Sequence, residues 1–122
     1  MPERFPSRPI RAVRELVVPR GSCGPFADIT VDFEPAETGF AFEIAGGVVD
    51  DWEWPEYGPP YLGAIGPAVE EELRLEDHDL LVAVRVTVRA ARMHPVDSNE
   101  MGYRRAGRQA ARRAISLAFP DR

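Results

Sequence analysis

Few side chains in this sequence could act as a nucleophile or a base. The chain has one cysteine and two histidines, and Cys23 lies between Ser22 and Gly24. A cysteine thiolate would need a neighbouring base such as His94 to become an efficient nucleophile. The sequence shows no third residue to orient that histidine and no oxyanion-hole motif, so Cys23 is interpreted as an incidental loop thiol. We therefore predict that the chain is not an enzyme.

Metal and nucleotide chemistry find little support in the sequence. Asp77, His78 and Asp79 are consecutive, and consecutive residues of a strand or turn cannot all face one ion, so a solvated turn is favoured. A single cysteine cannot build a structural zinc site. The chain contains no lysine, which excludes the phosphate-binding loop that ends in Gly-Lys-Ser/Thr. We expect no metal and no cofactor.

Arginines near the C-terminus are the first candidates for binding. Arg104, Arg105, Arg108 and Arg112 lie in a segment with helical periodicity. Arginines grouped on one helix surface can contact the phosphates of RNA. The alternative interpretation is an ordinary solvated helix face.

An acidic and aromatic segment, residues 50–60, is the second candidate. Trp52, Trp54 and Tyr57 could anchor a protein partner or stack on bases, or they could cover the edge of a sheet or helix. Four acidic residues surround them: Asp50, Asp51, Glu53 and Glu56. These carboxylates would repel phosphate, which argues against RNA at this segment.

Composition places the chain among folded, non-membrane domains. It has 122 residues, of which 44% are hydrophobic and 29% charged, as expected for one compact domain. The net charge of -5 is unevenly distributed, because residues 28–79 are strongly acidic whereas residues 1–27 and 80–122 are basic. No apolar run approaches the roughly 20 residues that a membrane span needs. We expect a cytoplasmic protein, monomeric or weakly dimeric, that does not bind membranes.

Hydrophobic periodicity predicts the elements that must position these residues. Strands are expected at 10–18, 26–34, 39–45 and 80–91, and a helix at 61–75. A last helix is expected to begin with a capping box formed by Asp97 and Glu100. Residues 1–9 are expected to form a flexible leader, residues 10–119 the domain and residues 120–122 a tail.

Two details of this assignment concern packing. The segment 26–34 alternates, so Ile29, Val31 and Phe33 should face the core while its acidic residues face solvent, and a hairpin to 39–45 should follow. In the last helix the predicted inward stripe consists of Tyr103, Ala106, Ala110, Ala114 and Leu117. The element order is β-β-β-α-β-α, which predicts an α+β fold, a two-layer sandwich of one sheet and its helices.

Six short blocks resemble one known family. The blocks are Gly24-Pro25-Phe26, Ile29-Thr30-Val31-Asp32, Phe42-Glu43, Gly46-Gly47-Val48, Tyr61-Leu62-Gly63-Ala64-Ile65 and His94-Pro95-Val96-Asp97-Ser98-Asn99-Glu100-Met101. In order and content they resemble domain IV of translation elongation factor G, over nearly the whole chain. The resemblance implies a two-layer domain with a left-handed βαβ crossover, against the usual handedness of such connections.

The resemblance also implies a partner. Domain IV resembles the anticodon arm of a tRNA and reaches the ribosomal decoding centre. Its tip is built from two loops, which here contain His94 and the residues Gly21, Ser22 and Gly24. The implied function is binding of the ribosome or a structured RNA through these loops and the arginine-bearing helix. The alternative is a protein-interaction module that kept the fold and docks through residues 50–60.

Overall fold

The computed structural model describes residues 2–19, 25–94 and 98–122. It contains the strands β1 (Glu3–Phe5), β2 (Ile10–Val17), β3 (Ala27–Pro35), β4 (Gly39–Ile44) and β5 (Leu80–Arg92). It also contains the helices α1 (Gly58–Gly63), α2 (Ile65–Leu73) and α3 (Glu100–Ala118). Gly21, Ser22, Cys23, Gly24 and Asp97 lie outside the described residues, so their predicted contacts stay predictions. The expectation of a mixed α+β domain is confirmed.

The long strand β5 organises the sheet. β3 pairs with it in antiparallel orientation and β4 in parallel orientation, and both pairings include Val84 to Val88 of β5. Because a strand has two edges, β3 and β4 lie on opposite sides of β5. β2 pairs with the outer side of β3, and β1 runs parallel to the first residues of β5.

The predicted hairpin between β3 and β4 is therefore wrong. Residues 36–38 carry the chain from one edge of β5 to the other instead of returning it alongside β3. The amide of Ala36 donates to the carbonyl of Ala83 at 3.0 Å, which ties this connection to β5. Gly39 then starts β4 with a φ of 73°, a conformation that favours glycine.

The core lies between one face of this sheet and the helices. Ile29, Val31 and Phe33 are fully buried, as their alternation predicts. The opposite face of β3 differs from the expectation, because Asp28 and Asp32 are also buried. Each accepts a hydrogen bond from an arginine of a neighbouring strand, Asp28 from Arg14 on β2 and Asp32 from Arg89 on β5. Buried carboxylates are tolerated when paired in this way.

Part of the predicted flexible leader belongs to the sheet. Residues 3–5 form β1, and Phe5 is completely buried. Its ring packs edge-on against Phe33, with 6.0 Å between ring centroids. A strand of three residues is too short for an alternating pattern to be recognised in the sequence. The burial of Phe5 results from the pairing of β1 with β5.

The helical segment 61–75 is divided into α1 and α2 at Ala64. Pro67 explains the break, because proline has no N–H to donate to the carbonyl of Gly63, four residues earlier, and its ring crowds that carbonyl. Helix α1 also begins earlier than predicted, at Gly58, so part of the acidic aromatic segment is helical. None of the helices in the described part of the chain is long and apolar enough to cross a membrane.

Helix α3 is capped by a different residue from the one predicted. The side chain of Asn99 accepts a hydrogen bond from the amide of Gly102 at 2.9 Å, so Asn99 is the N-cap of α3 in place of the predicted Asp97. The inward stripe is otherwise close to the expectation, but Leu117 is 47% exposed and Ile115 is buried instead.

Candidate nucleic-acid interface

The predicted arginine face exists on α3. Arg104, Arg105, Arg108 and Arg112, which we call the arginine row, line an open groove of about 470 Å³ together with Met101 and Gln109. Arg105, Arg108 and Arg112 follow at spacings of three and four residues, which places them on one side of the helix. The helix exposes this side because its other surface, rich in alanine and glycine, packs closely against α2 and the sheet.

Three of the four arginines already have acidic neighbours. Arg104 bonds to Glu100 at 3.3 Å, and a nitrogen of Arg108 lies 3.8 Å from an oxygen of Glu71. These contacts join half-exposed side chains, and exposed ion pairs of this kind contribute little to stability. Arg105 is exposed and forms no ion pair within the described residues, so it is the cation of the row most available to a ligand.

Arg112 has a structural partner as well. Its Nε donates to Oε1 of Glu72 at 3.1 Å, and Glu72 is only 4% exposed. The other carboxylate oxygen of Glu72 lies 2.6 Å from Nε2 of His78. His78, interpreted from the sequence as part of a solvated turn, is thus half-buried and bonded to α2. One end of the arginine row therefore also holds α2 and α3 together.

Replacing Arg112 by alanine is expected to lower the free energy of unfolding by about 1–3 kcal/mol, because the buried carboxylate of Glu72 loses one of its two partners. Arg105→Ala on the same helix is the matched control, and we expect a change within about 0.5 kcal/mol for it. Urea unfolding followed by circular dichroism measures both variants. Equal stabilities of the two variants would contradict this role for Arg112.

His94 lies near the start of α3 and is exposed. Its ring is 6.0 Å from the ring of Phe26, and its backbone N–H donates to Oγ of Ser98 at 2.8 Å. The exposure of His94 is what a tip contact with RNA requires. Gly21, Ser22 and Gly24, predicted to share this tip, lie outside the described residues, and so does Cys23, so neither the second tip loop nor a Cys-His pair is tested.

Ser98 is not among the residues predicted to form a site, yet it fixes the backbone at His94. Its hydroxyl donates to the carbonyl of Phe26 at 2.9 Å while it accepts from His94. Beside it, the hydroxyl of Tyr103 donates to the carbonyl of Arg92 at 2.8 Å. Burial raises the pKa of Tyr103 to about 12, so its hydroxyl remains a donor even at alkaline pH where an exposed tyrosine ionises. These bonds join the starts of β3 and α3 to the end of β5.

The aromatic residues of segment 50–60 are divided between core and surface. Trp52 is 8% exposed, and its Nε1 donates to the carbonyl of Ala91 at 3.0 Å. Trp54 and Tyr57 are 39% and 44% exposed. Trp52 thus covers the end of β5, as one of the open interpretations predicts. Of the three predicted docking residues, only Trp54 and Tyr57 are available to a partner.

Comparison with known proteins supports the fold. No protein-family model matches the chain. The chain is similar to the crystal structure of ttk003000868 from Thermus thermophilus, with 22% sequence identity and a TM-score of 0.63. The match covers 90% of this chain and 16% of that chain, so this chain corresponds to a small part of a much larger protein. At this identity the similarity shows a shared fold: the chain has the architecture of a segment of that Thermus protein.

Proposed function

We propose that this domain binds the ribosome or another structured RNA, without catalysing a reaction. The observation that carries the proposal is the arginine row of α3, which lines an open groove on the helix that begins six residues after His94. Guanidinium groups bind phosphate oxygens through two parallel hydrogen bonds, so a row of them suits a nucleic-acid backbone. The overall net charge of -5 does not oppose this, because the field at a surface is local.

Arg105 is the proposed centre of the contact. Arg104 and Arg108 keep side-chain exposures of 50% and 43%, so their guanidinium groups can also turn toward a phosphate. Arg112 is 62% exposed, so its terminal nitrogens are accessible while its Nε stays bonded to Glu72. Since a helix rises 1.5 Å per residue, the row from Arg105 to Arg112 extends about 10 Å along α3. Contacts of this type position an RNA through its backbone and carry no sequence information by themselves.

The resemblance to elongation factor G domain IV supports the finer part of the proposal. In that family the tip loops approach the decoding centre, so we propose that His94 and the loop of Gly21, Ser22 and Gly24 contact RNA here. An exposed imidazole at the tip can stack on a base or donate to a phosphate. The hydrogen bonds of Ser98 hold the backbone of His94 next to Phe26, which supports presentation of the His94 side chain at a defined place.

Removing two arginines from the row tests the proposal. Arg105→Ala with Arg108→Ala is expected to weaken binding to a labelled RNA hairpin about tenfold, and to reduce the slope of log affinity against log salt by about two, since each contact releases counterions. Fluorescence anisotropy measures the hairpin affinity, and sucrose-gradient sedimentation measures comigration with ribosomes. His94→Ala in the ribosome arm tests the tip separately.

The matched control removes two arginines from the outer face of the sheet. Arg11→Ala with Arg85→Ala changes the net charge by the same amount, and both residues pair with Glu34 on the side away from the core. We expect the control to bind RNA within about twofold of the unmodified protein. An equal loss in both double variants would mean that only net charge matters, and absence of RNA and ribosome binding at low salt would end the proposal.

A further inference from the structure

A second exposed surface lies on the acidic aromatic segment. The rings of Trp54 and Tyr57 meet edge to face, with centroids 6.5 Å apart and an angle of 87° between their planes. We call this pair the aromatic platform. Both side chains lie on or next to the single helical turn Pro55–Tyr57, where a proline restricts the backbone. Two large rings held outward at a turn make contact area that a partner can use without ordering a loop.

The platform is anchored to the core through a stack of tyrosines. Tyr57 stacks on Tyr61 with 5.5 Å between centroids, and Tyr61 stacks on the buried Tyr103 at 5.3 Å, with interplanar angles of 13° and 15°. The hydroxyl of Tyr61 donates to the carbonyl of Ser98 at 3.1 Å, which fixes the middle ring. The exposed rings are thus a rigid extension of the core.

The charge around the platform is negative and unbalanced. Asp50, Asp51, Glu53 and Glu56 are exposed, and none of them forms an ion pair within the described part of the chain. By contrast, Asp28, Asp32 and Glu34 on β3 are all paired with arginines. The four carboxylates therefore leave a local field that attracts cations and repels phosphate.

We propose that the aromatic platform binds an arginine- or lysine-rich segment of a protein partner. A guanidinium or ammonium group placed over the ring of Trp54 or Tyr57 gains a cation–π interaction, and the flanking carboxylates pair with neighbouring basic residues. An open groove of about 460 Å³ on the Trp52 side of the segment is lined by Asp51, Glu53 and Met93 and also by Arg92. A peptide that continues into it would therefore direct its cationic side chains toward the two carboxylates. This surface is separate in sequence and opposite in charge to the arginine row, so the inference does not rest on the proposed RNA function.

The test uses the full chain and a fluorescein-labelled octa-arginine peptide, with anisotropy recorded at about 50 mM and 150 mM salt. The unmodified protein should bind, Trp54→Ala with Tyr57→Ala should weaken binding about tenfold, and Glu53→Gln with Glu56→Gln should do so to a similar extent. The matched control is Glu37→Gln with Glu76→Gln, which removes two exposed carboxylates elsewhere and should stay within about twofold. Every substitution replaces an exposed side chain, and circular dichroism verifies that each variant is folded.

Each other outcome overturns the inference. If the platform and control Glu→Gln double variants weaken binding equally, the peptide binds by net charge alone. If Trp54→Ala with Tyr57→Ala binds the peptide as well as the unmodified protein, the aromatic platform is not the binding surface. A single-stranded RNA that binds through the platform, or a dimer of the protein abolished by the same substitutions, would assign the surface to a different occupant. Arg105→Ala with Arg108→Ala should leave peptide affinity unchanged, which separates failure here from failure of the RNA proposal.

Discussion

Replacing Trp52 by alanine is expected to lower the free energy of unfolding by about 3–5 kcal/mol. The side chain is 8% exposed, lies 6.3 Å from Tyr103 between ring centroids, and donates its N–H to the carbonyl of Ala91. Its removal would create a cavity at the end of β5 and leave that carbonyl without this donor. Urea unfolding followed by far-UV circular dichroism gives the difference.

Trp54→Ala is the matched control for this prediction. Trp54 is two residues away in sequence but 39% exposed, so its removal should change stability by no more than about 0.5 kcal/mol. A Trp52→Ala variant as stable as Trp54→Ala would show that Trp52 is not part of the core. The comparison also matters for binding experiments. Loss of partner binding in Trp52→Ala would reflect destabilisation of the fold, whereas loss of binding in Trp54→Ala would reflect a direct contact.

Phe5→Ala is expected to have an effect of similar size, about 3–5 kcal/mol of unfolding free energy. Phe5 is fully buried in β1, where it packs on Phe33 beside the first residues of β5. A flexible leader would instead tolerate the substitution. Thermal unfolding by calorimetry is a suitable measurement, and loss of β1 should also expose the start of β5 to hydrogen exchange.

Leu81→Ala provides the control for Phe5. Leu81 pairs with Arg4 of β1 in the sheet register, but its side chain is 51% exposed, so we expect a change within about 0.5 kcal/mol. If Phe5→Ala were no less stable than Leu81→Ala, the N-terminal strand would contribute nothing and the interpretation of residues 1–9 as a leader would be restored.

The functional proposals divide the surface by charge. The arginine row of α3 is proposed for phosphate and the aromatic platform for a cationic peptide, and the two differ in the sign of the charge that they attract. Salt should weaken both, but the platform retains the part of its affinity that comes from ring contact.

The sequence by itself determined the elements whose pattern is local. The alternation of Ile29, Val31 and Phe33 specified β3 and its buried face, and the spacing of Tyr103, Ala106 and Ala110 specified the packed side of α3. Periods of two and of three to four residues are properties of a single segment, so no distant partner is needed to recognise them. The exposed arginine row followed from the same helical period.

Other features were decided by contacts between distant segments. The partner of β4 is β5 and not β3, because a strand pairs with whichever edge the whole sheet offers, and neither edge is visible in residues 39–44. Asp28 and Asp32 are buried because Arg14 and Arg89 lie on the strands beside them, although their own segment predicts a solvated face.

The site depended on tertiary structure in the same way. Asp97 and Asn99 are both good capping residues, and α3 starts after Asn99 in a structure where Ser98 is bonded to Phe26 and His94, two residues of other segments. Trp52 and Trp54 lie in the same acidic segment, but only Trp52 reaches the carbonyl of Ala91 at the end of β5. The sequence therefore supplies the aromatic, acidic and basic side chains of the candidate surfaces. Long-range packing decides which of them face solvent, where a partner can bind.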